Sequence, residues 1–125
     1  MPGQTIGTQT LEQLANVTNG TDGTYSYYVD KRGYRKTGLQ FTASGGSGTV
    51  KLTLEATMQQ GADHTALTYV DITSSTFGVS EWTASDIISD NGEKLALYTF
   101  IRWKVVASTG GANDADWRLD ASKTF

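Results

Sequence analysis

Residue types able to run acid–base, nucleophilic or metal chemistry are thinly spread along this chain. His64 is the only histidine, it sits beside Asp63, and cysteine is absent. A histidine-based triad needs a serine on an exposed elbow, and no G-x-S-x-G string occurs. One histidine without cysteine leaves no conventional zinc set. Carboxylates gather at Asp114, Asp116 and Asp120, and again at Asp90 and Glu93. Neither group follows the spacing of an EF-hand calcium loop. Asp116 and Asp120 alternate beside Arg118, as on a solvated strand face. The stretch Gly45-Gly46-Ser47-Gly48-Thr49-Val50-Lys51 has the glycine density of a phosphate cradle. It lacks Gly-Lys-Ser/Thr and precedes a strand instead of a helix, so a turn accounts for it. No catalytic, cofactor or metal residue is expected, and the chain is read as a non-enzyme.

Aromatic side chains are the other candidates. Trp103 and Trp117 fall in phase with buried strand faces. Tyr25, Tyr27, Tyr28, Tyr34 and Trp82 are open to three readings: stacking on sugar rings, anchoring a protein interface, or packing over the edge of the fold. Together with Ile6, Leu11 and Leu14 they form the candidate interface set.

The elements that must position these residues are strands. One pattern is written twice: Leu39 to Ser44, a glycine-rich turn, then Val50 to Ala56; and Trp103 to Ser108, a glycine-rich turn, then Asp116 to Ala121. Alternation at period two buries one face and wets the other. The two copies read as two hairpins closing on each other. Further strands are expected over Thr24–Val29, Tyr34–Ala43 and Thr49–Met58, the last with Val50, Leu52, Leu54, Ala56 and Met58 facing in. Leu67–Ile72 is β-rich without a clear phase, and Phe77–Val79 and Trp82–Ile88 give short strands. Asp90-Asn91-Gly92 is a turn signal. Leu95–Ala107 reads as one long strand with Leu95, Leu97, Ile101, Trp103, Val105 and Ala107 inward. Seven or eight strands imply an all-β antiparallel sandwich of jelly-roll type over residues 24–125. Residues 1–23 read as an N-terminal arm. There Thr10-Leu11-Glu12-Gln13 has capping-box form, and Leu11 and Leu14 would share one face of a helical turn.

Composition narrows the partners. A chain of 125 residues is one domain, large enough to bury roughly two-thirds of its unfolded surface. The formal charge is -3, and Lys31-Arg32 with Arg35-Lys36 is the one basic cluster. No nucleic-acid partner is expected. No run approaches the ~20 apolar residues that span a bilayer, so no membrane partner is expected either. The opening residues lack a charged start and apolar run, so no export leader is expected. Asn16-Val17-Thr18 and Asn19-Gly20-Thr21 are then ordinary turn chemistry instead of glycosylation sites. A cysteine-free chain fits a reducing cytosol.

Three strings carry a family resemblance: Gly38 to Val50, Thr68-Tyr69-Val70-Asp71-Ile72-Thr73, and Phe100 to Gly111. They resemble the small β-sandwich structural proteins of tailed bacteriophages, of the capsid decoration (cement) or neck and tail accessory type. The likeness runs from Tyr34 to Phe125. It implies a virion protein assembled in the host bacterial cytoplasm, with major capsid protein or other virion subunits as partners and no active-site residues to carry over. It implies a homo-oligomer, with a trimer favoured. A neck, tail or fibre-associated protein is the near alternative, and a carbohydrate-binding module the alternative of a different class.

Overall fold

The computed structural model describes residues 9–44, 48–90 and 93–125. Ile6, Gly45-Gly46-Ser47 and Asn91-Gly92, with the expectations placed on them, lie outside that set. Eight strands run β1 (Thr10–Gly20), β2 (Gly23–Asp30), β3 (Lys36–Ser44), β4 (Thr49–Thr57), β5 (Val70–Asp71), β6 (Asp86–Asp90), β7 (Phe100–Ser108) and β8 (Ala115–Thr124). They form two four-stranded antiparallel sheets, ordered β1-β8-β3-β6 and β2-β7-β4-β5. The pairing is nested: β1 with β8, β2 with β7, β3 with β6, β4 with β5. A chain wound this way, as a double ribbon wrapped into two sheets, is a jelly roll.

The repeated pattern has a different meaning from the one its sequence suggests. β3 and β4 lie in opposite sheets, and so do β7 and β8. Neither pair is a hairpin. The chain therefore passes from one sheet to the other between β3 and β4 and again between β7 and β8. The two copies pair with each other instead, β3 with β8 and β4 with β7. At the second corner Gly110, Gly111 and Asn113 take φ of 64°, 88° and 53°, the left-handed region where glycine and asparagine are tolerated.

Period-two alternation fills the core as expected. Leu39, Phe41, Trp117, Leu119 and Ala121 from one sheet face Val50, Leu52, Leu54, Ile101, Trp103 and Val105 from the other, all buried. Trp117 Nε1 donates to the Tyr27 hydroxyl at 3.1 Å, tying the two sheets together. Four expectations are corrected. Thr10–Gly20 is not a helical turn but edge strand β1, held in this same chain by β8. Thr73–Phe77 is a short helix, α1, where Phe77–Val79 was expected to be strand. Met58 and Leu97 face solvent, at 65% and 82% exposure, because β4 ends at Thr57 and β7 begins only at Phe100. Trp82 is buried.

The free edge of β4 shows why Trp82 and α1 sit where they do. β5 covers only Glu55 and Ala56. The Thr73 hydroxyl accepts from the Leu54 N–H at 2.8 Å, and the Ile72 N–H donates to the Leu54 carbonyl. Trp82 exchanges both backbone bonds with Leu52. An edge that would otherwise invite strand pairing is thereby closed.

Candidate functional site

Three surfaces gather the side chains able to meet a partner. The first lies on the outer face of the β2-β7-β4-β5 sheet. Register sets Tyr28 beside Arg102, and Arg102 beside Glu55. Arg102 Nε donates to Glu55 Oε1 at 2.6 Å, and its guanidinium lies 4.5 Å from the Tyr69 ring centroid. Burial works against the Arg102 charge, but the hydrogen bonds it donates to Tyr28 and Glu55, with their charges, outweigh it and raise its pKa. His64 stacks on Phe100 at 5.5 Å and meets the edge of Tyr28 at 5.1 Å. Arg32 caps Phe100 at 4.8 Å while donating to Asp30 at 2.7 Å. These groups satisfy one another. His64 is a packing residue here, held between the Phe100 and Tyr28 rings. Among the described residues no three metal-ligating side chains converge.

The second surface is the end of the sandwich between residues 31–35 and 96–99. A cavity of about 480 Å³ there is lined by Arg32, Tyr34, Arg35, Leu97, Tyr98 and Phe125, among others. Tyr34 stacks on Phe125 at 5.1 Å, nearly parallel, and Lys123 Nζ lies 4.6 Å from the Tyr34 ring. Leu97 and Phe125 are exposed. Beneath it Lys31 is 1% exposed, and its Nζ has no hydrogen-bond partner. Burial lowers its pKa, and the nearby Asp90 carboxylate only partly offsets that.

The third is the outer face of the β1-β8-β3-β6 sheet, where a shallow trough of about 480 Å³ has Leu11 and Ile87 on its rims. Its floor includes Gly38, where a Cβ would lie 3.5 Å from the Ile88 carbonyl oxygen.

The expected site residues do not assemble into one patch. Leu11 is exposed on the third surface, Tyr34 lines the second and Tyr28 the first. Leu14 is half-buried at a bulge between Gln13 and Ala15, packed on the core. Tyr25 and Tyr27 also pack on the core, Tyr25 at 5.0 Å from Trp117. Trp82 meets Phe77 and Trp103 edge-on and tilted, at 5.6 and 6.0 Å, so it is a core residue and presents no face to a sugar or a partner. Ile87, Leu97 and Phe125, with Met58, Val70 and Val79, are surface apolar residues that sequence reasoning passed over. Ile87 carried a signal: in the strand Ile87-Ile88 adjacent residues must point to opposite faces.

No protein-family model and no curated protein matches the sequence. Among solved structures, the chain is similar to the crystal structure of the SPBc2 prophage-derived protein YomS, at 12% identity and a TM-score of 0.54. The likeness covers 94% of this chain and 93% of that one. At that identity it is a likeness of fold, over nearly all of both chains.

Proposed function

We propose that this chain is a non-enzymatic structural protein of a tailed-bacteriophage virion and, within that class, a capsid decoration protein that stabilises the head. The observation that carries this reading is the fold shared, over 94% of this chain, with a prophage-derived protein. The surface chemistry supports it. The ionisable and aromatic groups on the first surface partner each other. Apolar and aromatic side chains stand exposed at the end of the sandwich, Leu97 and Phe125 beside Tyr34. Aromatic anchors of this type carry binding energy at protein interfaces. We assign this end of the sandwich to the capsid contact. Many copies making modest contacts add up to a stabilised shell through multivalency.

Purified chain is mixed with undecorated capsids, and bound copies per particle and resistance to heat are measured. The expected outcome is saturation at hundreds of copies, as shell symmetry requires, with a raised disruption temperature. Leu97→Asp is expected to weaken attachment at least tenfold, about the loss of one anchor. Binding of about a dozen copies or fewer would move the chain to a neck or tail ring. Absence of binding, or binding without any gain in heat resistance, overturns the decoration role.

A further inference from the structure

Three of the four sheet edges are blunted. The edge of β4 is filled by β5, Ile72, Thr73 and Trp82. β6 has only five residues, and its Ile87 N–H is taken by the Asp86 carboxylate at 2.8 Å. β1 is bulged between Gln13 and Ala15 and again between Val17 and Gly20, and a bulge breaks the row of groups that a further strand would meet. β2 has none of these devices. Its eight residues keep one register along β7 from end to end and include neither proline nor lysine. The far side of the sheet fixes which of its backbone groups face out. Leu52 and Leu54 spend their backbone bonds on Trp82, Ile72 and Thr73. Bonds alternate in side along an antiparallel strand. Thr53 and Glu55 therefore bond to Lys104 and Arg102 of β7, and Trp103 and Val105 bond to Tyr27 and Tyr25 of β2. This leaves the N–H and C=O groups of Thr24, Ser26 and Tyr28 pointing away from the sheet, and among the described residues no backbone group bonds them. Asp30, next in that series, has its carbonyl taken by Lys123 Nζ at 2.8 Å.

We propose that two copies of this chain pair through β2, antiparallel about a two-fold axis at Ser26, so that the β2-β7-β4-β5 sheet runs on into its copy. The residues with unspent groups are centred on Ser26. In this register Ser26 meets Ser26, Thr24 meets Tyr28, and every N–H and C=O of the three residues finds a partner. A slip of one residue would set inward side chains against outward ones. A longer slip would pair Thr24 with Asp30, whose carbonyl is spent, or Tyr28 with Asp22, which lies outside the strand. The unspent set is thus its own antiparallel complement, as a two-fold contact requires, and this favours a second copy over a foreign strand. On the inner face the register brings Tyr25 opposite Tyr27, a stabilising cross-strand aromatic pair. On the outer face Thr24, Ser26 and Tyr28 carry no charge. At the Tyr28 end Glu12 and Asp30 stand with Arg32 and Lys123 around a cavity of about 230 Å³, so Asp22 of the copy, arriving opposite Asp30, meets balanced charge. Such pairing makes dimers, and a three-fold cluster would have to use another surface. The inference is independent of the capsid role, since pairing uses the edge of β2 and the capsid contact uses the end of the sandwich.

The test is the solution mass of the full chain by sedimentation and light scattering. The expected result is a dimer. Ser26→Pro removes an N–H that the chain's own sheet does not use, and proline is tolerated at such edge positions. The variant is expected to melt cooperatively and to be monomeric where the parent is a dimer. Ile87→Glu, on the other sheet, leaves the dimer unchanged. Should Ser26→Pro fail to fold, Ser26→Lys places at the edge the kind of charge that blunts strand pairing and gives the same reading. The register is read with single cysteines, since the chain has none of its own. In Ser26→Cys the two substituted positions face each other at about 5.5 Å between Cα atoms, within reach of a disulfide, and mild oxidation should link the copies. In Thr24→Cys they stand roughly 14 Å apart, four steps along the strand, and should not link. A full chain monomeric at every concentration overturns the proposal. So does an oligomer that survives both Ser26→Pro and Ser26→Lys, or a Thr24→Cys that links as readily as Ser26→Cys.

Discussion

Thr109 donates both its backbone N–H and its hydroxyl to the carboxylate of Asp22, joining corners 87 positions apart in sequence. Asp22 lies in the β1–β2 corner and Thr109 in the β7–β8 corner, so the bond locks the first inter-sheet crossing to the last. Thr109 in turn is nearly buried, and its hydroxyl accepts from the Asn113 N–H. The side-chain and backbone bonds from Thr109 hold the Asp22 pKa below its ordinary 3.8. A depressed carboxylate contributes stability that is present above the unfolded value and lost as pH falls through the folded one. Asp22→Ala is therefore expected to lower the melting temperature at neutral pH, and the gap to the parent should close in acid, below pH 3.8. Thermal melts of both proteins from neutral pH downward check this; a gap that persists at the acid end would mean that the carboxylate charge is not what matters.

Lys31 gives the opposite sign. Its ammonium is buried without an acceptor, and the Asp90 oxygens are already taken by the N–H groups of Glu93, Lys94 and Leu95. Burial lowers its pKa from 10.5. The unfolded chain therefore holds this proton over an interval in which the folded chain has released it, and stability rises with pH there. Lys31→Met keeps the buried stem and removes an unsatisfied donor group. It is expected to stabilise the fold by about 1–3 kcal/mol at neutral pH, with the advantage shrinking as pH approaches 10.5. Denaturant titrations of both proteins over that range measure it. A less stable variant at neutral pH would show that the ammonium has found an acceptor.

The sheet faces were legible in the sequence, and the strand partners were not. Alternation says which side chains point inward, as at Leu39, Phe41, Leu52, Leu54, Trp117 and Leu119, all fully or nearly buried. It does not say which strand lies alongside. Ser44-to-Thr49 and Ser108-to-Ala115 have the composition of hairpin turns, but each joins strands of different sheets, and only long-range pairing decides. β1 was hidden for another reason. As an edge strand with a bulge it buries only Ala15 and Gly20 fully, so its apolar signal is weak and its Thr-x-x-Gln start mimics a helix cap. The interface set mixed two populations for a similar reason. An aromatic residue on a strand reads the same whether it packs inward, as Tyr25, Tyr27 and Trp82 do, or lies at a surface, as Tyr34 does. Exposed Leu97 and Phe125 follow from where strands stop, which alternation does not fix.

Gly20 is a place where packing demands the absence of a side chain. A Cβ there would lie 2.5 Å from Trp117 Cζ3 and 2.9 Å from Val17 Cγ1. The Trp117 ring is fixed by Tyr25 and by its bond to Tyr27, so it cannot easily yield. Gly20→Ala is expected to cost about 1–3 kcal/mol, the range for overpacking a filled core. Calorimetric melting reads it directly, and an unchanged melting temperature would show that the edge strand shifts to make room.

Trp82 bears on the carbohydrate-binding alternative. Its ring packs against Phe77 and Trp103, and its backbone completes the edge of β4. Trp82→Ala is expected to destabilise the fold by about 3–5 kcal/mol, as for large aromatic truncations in cores. Any glycan binding should be unaffected at temperatures where the variant remains folded. Loss of glycan binding in a variant shown to be folded by near-ultraviolet circular dichroism would return Trp82 to the surface and revive the sugar reading.

Two truncations separate the leading residues from the strand that follows them. Thr10–Gly20 pairs with β8 along nearly its full length, from Thr10 opposite Lys123 to Gly20 opposite Ala115. Removing residues 1–22 deletes that strand, uncovers Trp117 beside Gly20 and abolishes the Asp22–Thr109 bonds. Such a chain is expected to lose its cooperative melt, because β8 becomes an open edge over an uncovered core. Removing residues 1–8 leaves every described strand intact, and the melting temperature should stay within about a degree, as for trimming a chain end. A role for the leading residues in attachment to capsids is therefore tested only with the shorter truncation. A cooperative, unshifted melt after the longer one would mean that β1 contributes nothing to the sandwich it closes.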